Sequence, residues 1–148
     1  MYLSMIKIIS VLSILLTLTA CSKGIDKMPD KSKMMCADKP NCISTLETRA
    51  DFSTAPFTLN NPDTKIESIA QIAEQLKGAK IAVIKENYAR IESTSTVFRF
   101  VDDLELRIEG NNLIVRSESR TGHSDFGVNK KRVEQLRTML LEKNIISQ

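Results

Sequence analysis

Two alternating runs, residues 98–109 and 112–120, flank the dipeptide Gly110-Asn111, and no other feature of the sequence restricts the fold as much. A glycine-led pair between period-two segments is a two-residue hairpin signal, and the turn then fixes the register. Ile108 faces Leu113, Leu106 faces Val115 and Leu104 faces Ser117, so one side of the hairpin is apolar. On the other side Glu105 lies opposite Arg116, which is expected to be an opposite-charge pair in water. Residues 80–85 and 88–94 read as two further strands, the first apolar on both faces through Ile81, Ala82, Val83 and Ile84.

Helical spacing brackets these strands. Ile66, Ile69, Ala70, Ala73 and Leu76 recur on one face, Thr64 with Glu67 fits a capping box, and Gly78 suits the position past the end. A last helix spans about residues 130–143, with Asn129 as N-cap, Val128 against Val133 as a hydrophobic staple, and Val133, Leu136 and Leu140 as its stripe. Between residues 47 and 62 nothing is periodic, so that stretch reads as extended coil pinned by Phe52, Phe57 and Leu59. The pattern predicts an α+β two-layer sandwich: a four-stranded antiparallel meander with both helices packed on one face, preceded by an extended disulfide-stapled segment.

The N-terminus has a different character. Residues 1–20 carry Lys7 and then an apolar core from residue 8 to 18, too short to span a bilayer, which takes about 20 residues, and so read as a secretory signal peptide. Leu18-Thr19-Ala20-Cys21 resembles the lipobox of bacterial lipoproteins, which implies that Cys21 becomes the acylated, palmitate-bearing N-terminus. Ser22 follows where an inner-membrane sorting signal would carry Asp. That resemblance implies the periplasmic face of the outer membrane in a Gram-negative host. Residues 21–35 then read as the lipidated cysteine and a flexible, solvated tether of mixed Lys and Asp, and residues 36–148 as a single α+β domain. A mature chain of about 128 residues has no room for a second large domain.

In an exported protein the remaining pair, Cys36 and Cys42, suggests a disulfide, whose loop closure contributes roughly 2.4 kcal/mol in the chain-entropy model. The alternative is a metal pair, but a zinc site wants four ligands and the only histidine, His123, is distant in sequence. No metal or other cofactor is implied. The formal charge of +3, the absence of Trp and the few other aromatics give no footprint of nucleic-acid binding.

Three ordered blocks carry a family resemblance. Arg116 to Arg137 reads RSESRTGHSDFGVNKKRVEQLR, and Lys39-Pro40-Asn41-Cys42-Ile43-Ser44 and Phe100-Val101-Asp102-Asp103-Leu104-Glu105 precede it. Together they resemble the bacterial and chloroplast family known as domain of unknown function family 1499. His123 stands where an aromatic residue is associated with that family. The resemblance implies the domain and carries no reaction with it.

Candidate sites follow from the same alternation. Counting by two from Phe98 and Phe100 through Leu104, Leu106 and Ile108 puts Asp102 on the apolar face, opposite Ser119, with Arg120 or Asn129 within reach if the sheet end curls. A structural polar lock of Asp102 and Ser119 is the first reading; a functional carboxylate and a bulge that turns Asp102 to water are the others. Arg116, Arg120, Asp125, Asn129 and Lys130 surround a strand-to-helix connection containing Gly122 and Gly127, which would suit an anion. In the competing structural reading Asp125 and Asn129 cap backbone while Arg116 and Arg120 pair with Glu105 and Glu118. His123-Ser124-Asp125 is not read as a triad, because adjacent side chains diverge. The resulting expectation is a non-catalytic, lipid-anchored periplasmic binding or interaction module, held to the membrane by its lipid and meeting a cell-envelope protein or an anionic ligand. The alternative is a small hydrolase-like enzyme using Asp102 or Asp125 with Arg116 or Arg120. Cys21→Ser should abolish processing and metabolic palmitate labelling; normal labelling of that variant would contradict the anchor.

Overall fold

The computed structural model describes residues 28–147; the leader, Cys21 and the first part of the expected tether lie outside them. Strands β1 (Cys42–Ser44) and β2 (Phe57–Thr58) precede helix α1 (Ile66–Ala73). Strands β3 (Ala79–Lys85), β4 (Tyr88–Thr94), β5 (Val101–Glu109) and β6 (Asn112–Ser119) follow, and helix α2 (Val128–Glu142) closes the order. The fold is α+β, but the antiparallel sheet has six strands rather than the expected four. The order is β1-β6-β5-β4-β3, with β2 also paired to β6. β1 occupies the Arg116–Glu118 stretch of that edge and β2 the Asn112–Leu113 stretch.

The central hairpin has the register read from its turn: Ile108 opposite Leu113, Leu106 opposite Val115, Leu104 opposite Ser117 and Glu105 opposite Arg116. The apolar row packs on α1 through Ile66, Ile69, Ala70 and Ala73, and on α2 through Val133, Leu136 and Leu140, which form one core. β3 resolves its two-sided apolar pattern with a bulge between Ile81 and Val83. The extra residue lets Ile81 and Ile84, three apart, both pack against the core while Val83 pairs with Arg90 across the sheet. Gly78, at φ +71°, is required rather than convenient: a Cβ there would lie 2.5 Å from the Thr94 carbonyl oxygen.

Several local expectations are corrected. β5 begins at Val101, because Ser95 and Phe100 close the preceding connection, the Ser95 amide donating to the Phe100 carbonyl at 2.9 Å. The Thr64 capping box does not form. An Asx turn at Asn61 takes the Thr64 hydroxyl, which donates to the Asn61 carbonyl at 2.7 Å, and α1 starts after it without a side-chain cap. α2 begins earlier than expected, at Val128, so Asn129 lies inside it and is buried, while Val128 is exposed and makes no staple. Asp125 supplies the cap, accepting from the amides of Gly127 at 3.0 Å and Asn129 at 2.7 Å.

The largest correction concerns the face of the sheet away from the helices. Residues 28–35, expected as solvated tether, cross that face as a strap. The Lys31 amide donates to Glu105 Oε1 at 2.8 Å, Arg116 Nε to the Met34 carbonyl at 3.0 Å and Arg107 Nε to Ser32 Oγ at 2.9 Å. Asp30 pairs with Arg107, and Ser32 is fully buried. The Cys36–Cys42 disulfide, with Cα atoms 5.7 Å apart, fastens the strap's end to β1. Glu105 and Arg116 are therefore not a pair in water: both are buried, with Arg116 Nη1 3.7 Å from Glu105 and 3.0 Å from Glu118.

Burial pushes the Glu105 carboxyl above its ordinary range, despite the Lys31 amide, the Tyr88 hydroxyl at 2.9 Å and the nearby Arg116. A carboxyl raised in the fold favours folding most when protonated, so its contribution is present below the unfolded value and lost as pH rises through the folded one. Glu105→Gln keeps the acceptor and removes the titration. Denaturant midpoints from about pH 4 to pH 8 should show the variant gaining on the wild type as pH rises. Parallel curves would contradict this.

Candidate functional site

One row of polar residues crosses the sheet near the β4–β5 connection. Ser93 pairs with Asp102, Asp102 with Ser119, and the Ser119 amide donates to the Asn41 carbonyl at 3.0 Å, so four chain segments each place a polar residue at this end. The first turn of α2 lies over the row. Asn129 Nδ2 donates to Ser119 Oγ at 2.9 Å and to the Asn41 carbonyl at 3.1 Å, and its Oδ1 accepts from Ser117 and Arg132. Arg132 Nη2 donates to Asp102 Oδ2 at 2.7 Å, with about a tenth of each side chain exposed. Such a pair is sustained only when further hydrogen bonds satisfy it, and Ser117 and Asn129 do so for Arg132.

Beside the pair opens a cleft of about 350 Å³. Asp102, Arg132 and Ser93 form its buried wall, Leu76 and Val128 its apolar sides, and Lys77, Lys131 and Gln135 its exposed rim, with Thr94, Ser95 and Thr96 along the strand end. The Ser93 hydroxyl is buried and has no hydrogen-bond partner among the described residues. A larger cavity of about 530 Å³ lies on the opposite face between Met28 and the β3–β4 connection. On its lining Arg107 holds Asp30 and Asn87 and lies over the Tyr88 ring.

Asp102 and Ser119 meet in one row as the alternation implied, but neither Arg120 nor Asn129 holds the carboxylate; Arg132 does. Arg120 lies toward the other face, on Asp103 at 2.8 Å and on Glu92; its hydrogen bonds to Asp103 are the main reason its proton is held more tightly than usual. Arg116 lies under the strap. Of the five residues proposed to line an anion site, Asp125 and Asn129 bond each other, Lys130 is exposed on α2, and Arg116 and Arg120 are directed elsewhere. The four residues of the hydrolase alternative are likewise not gathered: Asp102 is on the helix side, Asp125 is on backbone amides, and both arginines are across the sheet. His123 is exposed in the connection, and the described residues contain no cluster of three or more metal-ligating side chains.

Sequence reasoning missed Ser93, Arg132 and the rim. Ser93 obeys the same count by two from Ala89 and Ile91 that singled out Asp102. Arg132 sits four residues before Leu136, on the buried stripe of α2, and that spacing is the signal that could have found it.

The chain matches the family model described as "Protein of unknown function (DUF1499)" over residues 34–140, and it belongs to that family. No curated protein and no solved structure matches it. The matched span begins inside the strap and ends at the last core residue of α2, Leu140, so it includes the whole polar row.

Removing either partner of the Asp102–Arg132 pair leaves a buried charge, so Asp102→Ala and Arg132→Met should each cost about 3 kcal/mol in chemical denaturation. The combined Asp102→Ala and Arg132→Met variant should cost less than the sum of the two. Additive losses would show that the two side chains are not coupled.

Proposed function

We propose that the protein is a lipid-anchored periplasmic binding module that holds a small anionic solute in the cleft beside Asp102 and Arg132. The buried Ser93 hydroxyl on the cleft wall, unpartnered among the described residues, carries this reading, because an unpaired buried polar group costs free energy that a bound acceptor recovers. Lys77 and Lys131 on the rim favour a carboxylate or phosphate group, and the apolar sides suit a short carbon skeleton. The lipobox at Cys21, with Ser22 after it, supports attachment at the periplasmic face of the outer membrane.

Binding is preferred to hydrolysis for a geometric reason. The one carboxylate in the cleft is already neutralised by Arg132, which suits recognition better than proton transfer. A cell-envelope protein bearing an acidic side chain would present the same chemistry as a free solute. Inorganic phosphate and succinate, titrated separately, should shift the amide resonances of residues 93–96 and Lys131. Ser93→Ala and Lys131→Ala should each weaken binding by about tenfold, near 1.4 kcal/mol, without lowering the melting temperature. Shifts scattered over all surface lysines, or unchanged affinity in both variants, would overturn the reading.

A further inference from the structure

The end of the sheet that carries the cleft also carries the most exposed apolar side chains. In the β4–β5 connection Val97, Phe98 and Phe100 are 79%, 74% and 55% exposed, and the two phenyl rings stack with centroids 5.6 Å apart. The connection is held in shape: the Ser95 amide donates to the Phe100 carbonyl, and the Phe100 amide donates to Ser95 Oγ, each at 2.9 Å. Val128, at the start of α2, lines the same cleft as Ser95 and Thr96, and two residues before it Phe126 is 96% exposed.

Backbone conformation points the same way. Phe126 and Arg99 have φ of 55° and 56°, a left-handed geometry that is costly for side chains with a Cβ. At Phe126 no buried contact of the ring offsets that cost. Strain kept at an exposed aromatic is a reason to look for a contact outside the fold.

The charges around these rings are positive. Arg99, Lys130 and Lys131 are exposed, whereas the acids of this end are engaged, Asp102 by Arg132, Asp103 by Arg120 and Asp125 by backbone amides. Aromatic side chains projecting from a cationic rim match the boundary between anionic headgroups and acyl chains.

We propose that Val97, Phe98, Phe100 and Phe126 form a membrane-contacting tip that rests on an anionic phospholipid leaflet. Chain reach also brings the tip to the membrane, and reach alone depends on lipid at Cys21. The described chain starts at Met28, whose carbonyl accepts from Arg90 at 3.4 Å. The seven residues back to Cys21 extend at most about 24 Å. Four strand residues, about 13 Å, separate Arg90 from Thr94, and the tip lies just beyond. Anchor and tip therefore reach one plane.

The chain lacks Trp, so a single replacement gives an unambiguous reporter. Phe98→Trp reports on the tip. Leu46→Trp reports on the opposite end, where Leu46 lines a groove with Asn112 and Leu113. In the mature lipidated protein, in vesicles of phosphatidylethanolamine and phosphatidylglycerol at roughly three to one, brominated acyl chains should quench Phe98→Trp several-fold more than Leu46→Trp. Equal quenching would overturn the proposal. A second arm uses residues 21–148 with Cys21→Ser, which carries no lipid and so separates failure of the tip from failure of the anchor. This chain should sediment with the same vesicles, and binding should fall at least tenfold with Phe98→Asp and Phe100→Asp, or with phosphatidylglycerol omitted, at an unchanged melting temperature. No sedimentation, or binding indifferent to both changes, overturns the tip whether or not Cys21 is acylated.

Discussion

The ion pair between Asp102 and Arg132 decides how the helical layer meets the sheet. Three apolar residues of α2, Val133, Leu136 and Leu140, hold it to the core, but its first turn buries Asn129 and Arg132, which the hydrophobic effect does not favour. Only the polar row at the sheet end gives those side chains partners. Because a buried charge left alone costs several kcal/mol, α2 cannot slide or rotate without losing the pair, and the cleft beside it inherits that fixed geometry. The same residues therefore serve the fold and shape the candidate site.

The two faces of the sheet are buried by different physics. Toward the helices the side chains are apolar, and burial itself is favourable. On the other face Arg90, Glu105 and Arg116 are buried and hydrogen-bonded to the backbone amides and carbonyls of a strap, while the buried Asp103 is held by Arg120. A sheet with one charged face would ordinarily leave it to water. Here the disulfide holds the strap down at one end, and Glu47, engaged by Arg49 and held near a pKa of about 2 chiefly by that hydrogen bond, accepts the Cys36 amide at 3.2 Å.

Much of this was legible because it depends on local rules. The Gly110-Asn111 turn and the period-two pattern are enough to derive each pair of the central hairpin, including Asp102 opposite Ser119, and helical spacing finds the buried residues of α1 except Ile72. What escaped depends on contacts distant in sequence. β1 and β2 are three and two residues long, with no alternation to read, and exist because β6 offers an open edge. The strap is a run of Lys, Asp and Ser that reads as solvated, and its partners lie more than 70 positions away. Arg132 escapes such a reading because an arginine in a helix is ordinarily taken as exposed, and Arg120 and Asn129 lie nearer to Asp102 in sequence.

A domain organised around one buried pair should have that arginine locked in place. The most direct measurement is nuclear magnetic resonance of the Arg132 guanidinium in the folded protein near neutral pH. A side chain held by Asp102, Asn129 and Ser117 should give resolved, slowly exchanging Hη signals with hindered rotation about the Nε–Cζ bond. A single averaged signal, exchanging with solvent as in a free arginine, would contradict a buried pair at the centre of this fold.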